Sequence, residues 1–552
     1  MSSVSSEQLT IIRKSIANVA KGSKVVAACI YGSRVAGYAR RDSDIDVLVV
    51  LDEYPYAIKY VYLRESGIDI SALVVSKRSL ESDAQRTSLG EFAVGRLLHI
   101  FEPILNAGFL YQIERLYKRR IILEELQNIV EYAGVLSTDI LFPLEYVVFA
   151  KIKHRMSVYP SAAYSYYKTY SACSRSEQNL NFALVGYRGA LDDILAMDSS
   201  LLLKHIDLLQ ISDKRVTVER GRTRLRLTKR LQEFSSYLVH TYAGRKIMHL
   251  ALKETKSKIR RHAGVRMELP EFMDSPKKIF WRLAEGKLIL DSKDWLQDLA
   301  GSKGITDYSV IQKRRLGNVN SRTVLYVVRH DSREYKIAIK DLARSKSVKW
   351  AALNLWTAPV KRFKVDPLLR LGSEYRAIRH VRTLGLLTPQ IEAVVLDRRI
   401  LVTRFIEGDS LGGVIAAFAS GQTNNVHWIH EAGKQIARVH NAGASFGNIK
   451  PKNLLVSRNN LWFTDLEQFV FDPRDQVWDI AQFLSWGLKG ARRGAVAARI
   501  TREFLQGYVE ISQNRSNLST LSKKRRYMDS FFPVLAPSVA RSIKKELQAI
   551  AA

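Results

Sequence analysis

Three apolar runs of strand length, Val25–Tyr31, Ile45–Leu51 and Ile68–Val75, follow a helix-forming start, and this order most constrains the fold. Ser5 or Ser6 can cap the helix. Leu9, Ile12, Ile16 and Val19 then share one face, and Gly22 ends it. A capped amphipathic helix and several strands within the first hundred residues predict a small α/β layer.

The connections between these runs carry the chemistry. The first lies in Tyr31-Gly32-Ser33-Arg34-Val35-Ala36-Gly37-Tyr38-Ala39-Arg40-Arg41-Asp42-Ser43-Asp44-Ile45-Asp46. Alternate strand residues share a face, so Asp44 and Asp46 point the same way. Two like charges held that close call for a cation, and hard carboxylate oxygens suit magnesium, with manganese as a substitute. Asp69 lies inside the third run, where an acid is costly unless paired or bound to metal. Three carboxylates from adjacent strands can hold two magnesium ions, which activate an attacking hydroxyl and stabilise a leaving pyrophosphate. Gly32 lets the backbone approach a triphosphate and Ser33 can donate to it. As plain structure, Asp44 and Asp46 would instead be turn and strand-entry residues, with Asp42 and Ser43 capping the turn.

Gly32, Ser33, Asp44, Asp46 and Asp69 resemble, in order and spacing, the minimal nucleotidyltransferases of the DNA polymerase beta superfamily, and Gly37 matches a further glycine of that pattern. The resemblance covers roughly the first hundred residues. It implies magnesium-dependent transfer of a nucleoside monophosphate from ATP or another nucleoside triphosphate. The acceptor is not written in the motif; members of the family modify RNA ends, proteins and small drugs.

The chain's net charge of +32 over 552 residues points to a polyanionic partner. Between Lys214 and Arg266, 16 Lys or Arg face three acids, a net of +13, and this tract is the candidate surface for RNA, tRNA included. The alternative is a set of solvated helix faces. Within it, Val216–Leu227 alternates apolar and charged residues around Gly221, which predicts a hairpin, either the wing of a winged helix or a plain ribbon. The aromatic run Tyr164, Tyr166, Tyr167 and Tyr170 can stack bases, but reads better as helix core. Two cysteines, Cys29 and Cys173, exclude a disulfide framework and a cysteine zinc site. With no apolar run of membrane length and no secretory start, the expected location is cytoplasmic, away from membranes.

Beyond about Ile305 the pattern changes, with strand-like runs to about Phe405 and then helices. Ile337-Ala338-Ile339-Lys340, Glu374, Phe446-Gly447-Asn448-Ile449-Lys450-Pro451-Lys452-Asn453 and Thr464-Asp465-Leu466-Glu467 resemble, in order, the signature of protein kinases. The likeness is to the small atypical kinases: the RIO group, the kinase of the threonylcarbamoyl-tRNA modification complex and the lipopolysaccharide kinases. It implies that Lys340 pairs with phosphates and with Glu374, that Lys450 lies at the nucleotide, and that Asn453 and Asp465, twelve residues apart, hold a metal ion. Asp479 stands where that family has a structural aspartate. Asn448 occupies the position of the catalytic aspartate and Phe446 that of the histidine. An amide does not take a hydroxyl's proton as a carboxylate does, a loss of ~10²–10⁴ in rate. The glycine-rich loop is reduced to Leu316-Gly317-Asn318-Val319-Asn320-Ser321.

The expected fold is multidomain, α/β plus α. A mixed-sheet nucleotidyltransferase domain covers 1–108 and a basic, mainly helical domain covers 109–270. A connection spans 271–304, and a two-lobed protein-kinase-like domain covers 305–552. The expected function is nucleotidyl transfer to RNA or protein, with an ATP-binding pseudokinase as regulator. The alternatives are an active atypical kinase regulated by the first domain, and a non-enzymatic RNA-binding scaffold that senses nucleotides.

Overall fold

The computed structural model describes residues 4–219, 222–227, 231, 268–316, 323–343, 353–357, 360–513, 515–524, 526–531 and 535–551. The chain divides into two compact units, 1–132 with 140–282, and 133–139 with 283–552.

The first unit opens with helix α1, Ser6–Ala20. Ser5 caps it and exchanges hydrogen bonds with Gln8 in a capping box. Lys21 takes a left-handed conformation at its end, one residue ahead of Gly22. Five strands follow: β1 (Val25–Tyr31), β2 (Ile45–Leu51), β3 (Ile58–Glu65), β4 (Ile68–Ser76) and β5 (Glu102–Leu105). They form one mixed sheet in the order β3-β4-β2-β1-β5. β2 runs antiparallel to β1 and parallel to β4, with Ile45 beside Ile70 and Asp46 beside Ser71. Ile45, Val47, Val49 and Leu51 bury one face of β2 with Ile70, Ala72 and Val74, against Ile12, Ile16 and Val19 of α1. Period-two alternation therefore turns Asp46 to the opposite face.

The rest of this unit is mainly helical. It includes α2 (Ala107–Ala133), α3 (Leu144–Val158), α4 (Ala163–Tyr167) and α5 (Ser176–Met197), with a π-turn over Lys168–Ala172. At its centre Glu91 is fully buried. It accepts from Arg120 at 2.7 Å, Lys151 at 2.7 Å, Arg155 at 3.2 Å and the Tyr117 hydroxyl at 2.9 Å. Burial alone would favour the neutral acid; the three cations outweigh it and hold the carboxyl well below its usual range. Val216–Glu219 pairs with Arg222–Leu225 as the expected hairpin. A second hairpin, Leu202–His205 with Leu208–Ile211, has short strands that sequence did not reveal. Gly221, most of the basic tract and any winged helix built on it lie outside the described residues. Among the described residues no helix is long and apolar enough to cross a membrane.

The second unit begins with a six-stranded sheet. In spatial order its strands are Lys287–Ile289, Ile391–Val395, Ile400–Arg404, Arg333–Asp341, Thr323–His330 and Ser309–Leu316. Lys287–Ile289 lies within the stretch that the sequence left as a connection, yet it pairs in parallel with Ala393–Val395. Leu288 and Ile289 are buried there, and helix Trp295–Ser302 contributes Leu299 to the same core. Helix Pro367–Thr383 starts at an Asp366 cap with proline in its first turn. It packs against Gly134–Asp139: a Cβ on Gly372 would stand 2.9 Å from the Leu136 nitrogen. The remainder is helical around the hairpin Leu454–Ser457 with Asn460–Phe463. The architecture is that of a kinase-fold-like region.

Candidate functional site

In the first unit the connection after β1 folds into a single helical turn, Ser33–Ala36, between two glycines. Gly32 and Gly37 both have φ of 84°, a conformation side chains rarely adopt. The Ser33 carbonyl accepts from Gly37 and Tyr38, both at 3.0 Å, which closes the turn. A Cβ on Gly32 would overlap the Asp46 carboxylate, so glycine is required by space as well as by φ. Arg34 donates to the Ser43 carbonyl at 2.5 Å and ties this turn to the one that delivers Asp44.

Asp46 is the second residue of β2 and faces Gly32, while Asp44 lies two residues earlier, just before the strand begins. Asp69 lies one residue before the Ile70–Ile45 pair, so register brings it to the same sheet end. Its carboxylate is exposed and 3.7 Å from Arg64 across β3. Among the described residues no group of three or more His, Cys, Asp or Glu is gathered tightly enough to hold a metal ion. The pair Asp44 and Asp46 fits a hard cation that takes its other oxygens from a triphosphate and water. The three-carboxylate cluster expected from sequence is not assembled around it.

Sequence reasoning missed several neighbours. Tyr31 stands opposite Asp46 in β1, and Ser71 lies between Asp46 of β2 and Tyr62 of β3. Tyr60 and Tyr62 stack at 5.9 Å, and Arg96 lies over the Tyr31 ring and donates to the Tyr60 hydroxyl. Only the strand register, invisible without β3, collects them. Tyr166 and Tyr170 are buried, as core residues should be.

In the second unit, Lys340 lies 2.7 Å from Glu374, bonds Asp465, and lies 3.4 Å from Glu467. Burial would lower the lysine's pKa; these carboxylates overcome it and keep the ammonium charged. Burial, together with Asp465 and Glu467, raises Glu374 above the usual carboxylate range against the pull of Lys340. Asp465 is opposed by burial too, but Lys340, Lys450 and Lys452 hold it low. Its φ is +61°, a strained conformation for an aspartate. Asn453 donates to it at 3.0 Å, so the two residues read as metal ligands do meet. Lys450 lies 4.6 Å from the Trp486 ring centre. Glu467 was not singled out in the sequence. It is buried, and Arg370 donates to it at 3.2 Å.

Asp479 is buried and accepts from the backbone of Phe446 at 2.6 Å and of Gly447 at 2.8 Å, and it meets His440 at 3.3 Å. It fixes the loop that carries Asn448. The expected glycine-rich loop, Gly317–Ser321, lies outside the described residues.

Residues 14–85 match the family model described as polymerase beta, nucleotidyltransferase. The chain carries a nucleotidyltransferase domain of that type, fused with a kinase-like domain. Its curated relatives include protein adenylyltransferase MntA of Thermococcus cleftensis, 37% identical over 65 residues, which are 11% of this chain and 66% of that protein. KEOPS complex subunit Bud32 of Pyrococcus abyssi is 25% identical over 138 residues, 25% of this chain and 62% of that protein. The chain thus spans just under two thirds of the length of these relatives. Among solved structures, WaaP in complex with acyl carrier protein aligns at 14% identity and a TM-score of 0.28, over 44% of this chain and 95% of that one.

Proposed function

We propose that the chain is a magnesium-dependent nucleotidyltransferase whose second unit binds ATP as a pseudokinase in a two-lobed fold. The observation that carries this reading is the Asp46 carboxylate against the positive-φ Gly32, with Asp44 two residues before it, within a stretch that matches the polymerase beta family. In the reaction an acceptor hydroxyl oxygen bonds to the α-phosphorus of the nucleoside triphosphate. The bond from that phosphorus to its bridging oxygen breaks, and pyrophosphate leaves with the electron pair. Asp69, once released from Arg64, accepts the hydroxyl proton. Asp44 and Asp46 would hold magnesium, which supplies positive charge to the phosphates. Gly32, Ser33 and Gly37 shape the loop against the triphosphate.

The Thermococcus relative is named a protein adenylyltransferase, which supports ATP as donor and a protein side chain as acceptor. The charge of Lys214–Arg266 supports a second reading, in which RNA, tRNA included, docks there as acceptor. In the second unit, Lys340, Glu374, Lys450, Asn453 and Asp465 support Mg-ATP binding, and Asn448 argues against efficient phosphate transfer.

The test is incubation with magnesium and ATP labelled at either the α or the γ phosphate, with the protein alone or with total RNA. Transfer of α label, lost in Asp44→Ala, supports the proposal, and the labelled product identifies the acceptor. Transfer of γ label alone, lost in Asp465→Ala, overturns it.

A further inference from the structure

The loop at Gly32–Gly37 is not built by the first hundred residues alone. Asn179 of α5 donates to the Ala36 carbonyl at 3.0 Å and to the Thr169 carbonyl at 3.0 Å. The Cys173 thiol lies 3.5 Å from the same Ala36 oxygen. Asn179 is fully buried, so these bonds fix the segment Thr169–Arg175 against the end of the loop. That segment leaves the π-turn Lys168–Ala172, a helix irregularity often found at functional sites.

Arg175 sits where this segment meets the loop. A Cβ on Gly37 would stand 2.6 Å from Arg175 Cδ and 3.3 Å from its Nε, so the arginine stem lies across the bare glycine backbone. Gly37 therefore leaves room for an arginine from a distant part of the chain as well as supplying φ of 84°. The residue is exposed, and among the described residues its guanidinium has no hydrogen-bond or ion-pair partner. Arg34, on the loop itself, gives one guanidinium nitrogen to the Ser43 carbonyl. Gly32, against which the Asp46 carboxylate lies, is at the other end of the same helical turn, five residues and ~7–8 Å along its axis.

We infer that Arg175 binds the β- and γ-phosphates of the nucleoside triphosphate in the first unit's site. This rests on the nucleotidyltransferase reading and adds to it a residue from the helical half. A planar guanidinium suits two phosphate oxygens at once and meets the charge that grows on the leaving pyrophosphate. The nucleoside monophosphate that is transferred makes no use of this contact. Arg175 thus discriminates donor triphosphate from monophosphate.

The test measures binding of magnesium pyrophosphate, a non-hydrolysable α,β-methylene ATP analogue and AMP to the full chain. Every variant carries Lys340→Met, so that the second unit's pocket does not contribute. Arg175→Ala is expected to weaken pyrophosphate and the analogue about 10- to 100-fold and leave AMP within twofold. Arg175→Lys should recover part of the loss. Arg175 is exposed, so neither substitution threatens folding. Equal loss for AMP, or no loss for pyrophosphate, overturns the inference. Asp46→Asn separates the two levels. If it abolishes analogue binding while Arg175→Ala changes nothing, only the role of Arg175 fails. If Asp46→Asn also changes nothing, the nucleotidyltransferase reading fails with it.

Discussion

Gln482 donates its side-chain amide to the Asn448 oxygen at 3.1 Å, so the residue in the place of a catalytic aspartate is held by a partner on the helix Gln476–Gly487. The backbone around it is also fixed, through Asp479. A carboxylate at position 448 could keep the bond to Gln482 and still accept a proton. Asn448→Asp is therefore expected to leave ATP affinity within about twofold and raise γ-phosphate transfer by ~10² or more, read with labelled ATP and a peptide mixture. No rise would mean that the second unit lacks more than its base.

Gly32→Ala is expected to abolish α-label transfer and lower stability by about 1–3 kcal/mol. The alanine must occupy φ of 84° and displace the Asp46 carboxylate together. Gly22, also at positive φ but with open space around it, is the control: Gly22→Ala should show strain without loss of transfer. Urea unfolding and product analysis check the pair.

Glu91 balances three buried cations. Glu91→Ala leaves Arg120, Lys151 and Arg155 without their shared carboxylate and should lower the stability of the first unit by about 3–5 kcal/mol. The transition in urea belonging to that unit should move, while the second unit's transition stays within experimental error. A shift under 1 kcal/mol would show that water or Glu124 takes over the load.

Lys364 carries the pH prediction. Burial, reinforced by Lys361 and Arg376 and opposed by Asp475, lowers its pKa to about 7. Its nitrogen donates to Ser373 at 2.7 Å and to the Phe469 carbonyl. The unfolded lysine titrates near ~10.4. Between about 7 and that value the unfolded chain holds the proton and the folded chain does not, so this group weakens folding as pH falls through the window. Below about 7 both forms are charged and the penalty is constant. Relative to Lys364→Met, the wild type should gain stability from pH 7 to pH 10, measured as the difference in urea midpoints; a flat difference would refute it.

What sequence made visible was set by pattern strength. β1, β2 and β4 are near-continuous apolar runs, and their ends could be read to within a residue. β3 is an edge strand rich in tyrosine and charge, Ile58–Glu65, with three of its eight positions exposed and none fully buried, so it gives no apolar run. Missing it hid Arg64, the partner of Asp69, and the stacked Tyr60 and Tyr62. Lys340, Glu374, Asn453 and Asp465 were legible because an ordered motif survives long separations. Glu467 was not, because its role depends on Arg370 and Lys340 arriving from two other elements. Arg175 lies 138 residues from Gly37, and nothing local marks a side chain that crosses a glycine so far away.

Asp139 pairs with Arg376 and Arg379, and its seven-residue segment, Ala133–Asp139, belongs with the second unit although the chain before and after it belongs to the first. During synthesis this segment emerges more than two hundred residues ahead of its partners. Until Arg376 and Arg379 leave the ribosome, Asp139 lacks both of these partners. Proteolysis at a single bond near 282 would therefore leave each fragment incomplete: one with a loop that has lost its helix, the other with two arginines that have lost their carboxylate. The two units are inseparable by any single cut, so gene fission between them would need compensating changes at Asp139 before either product stood alone.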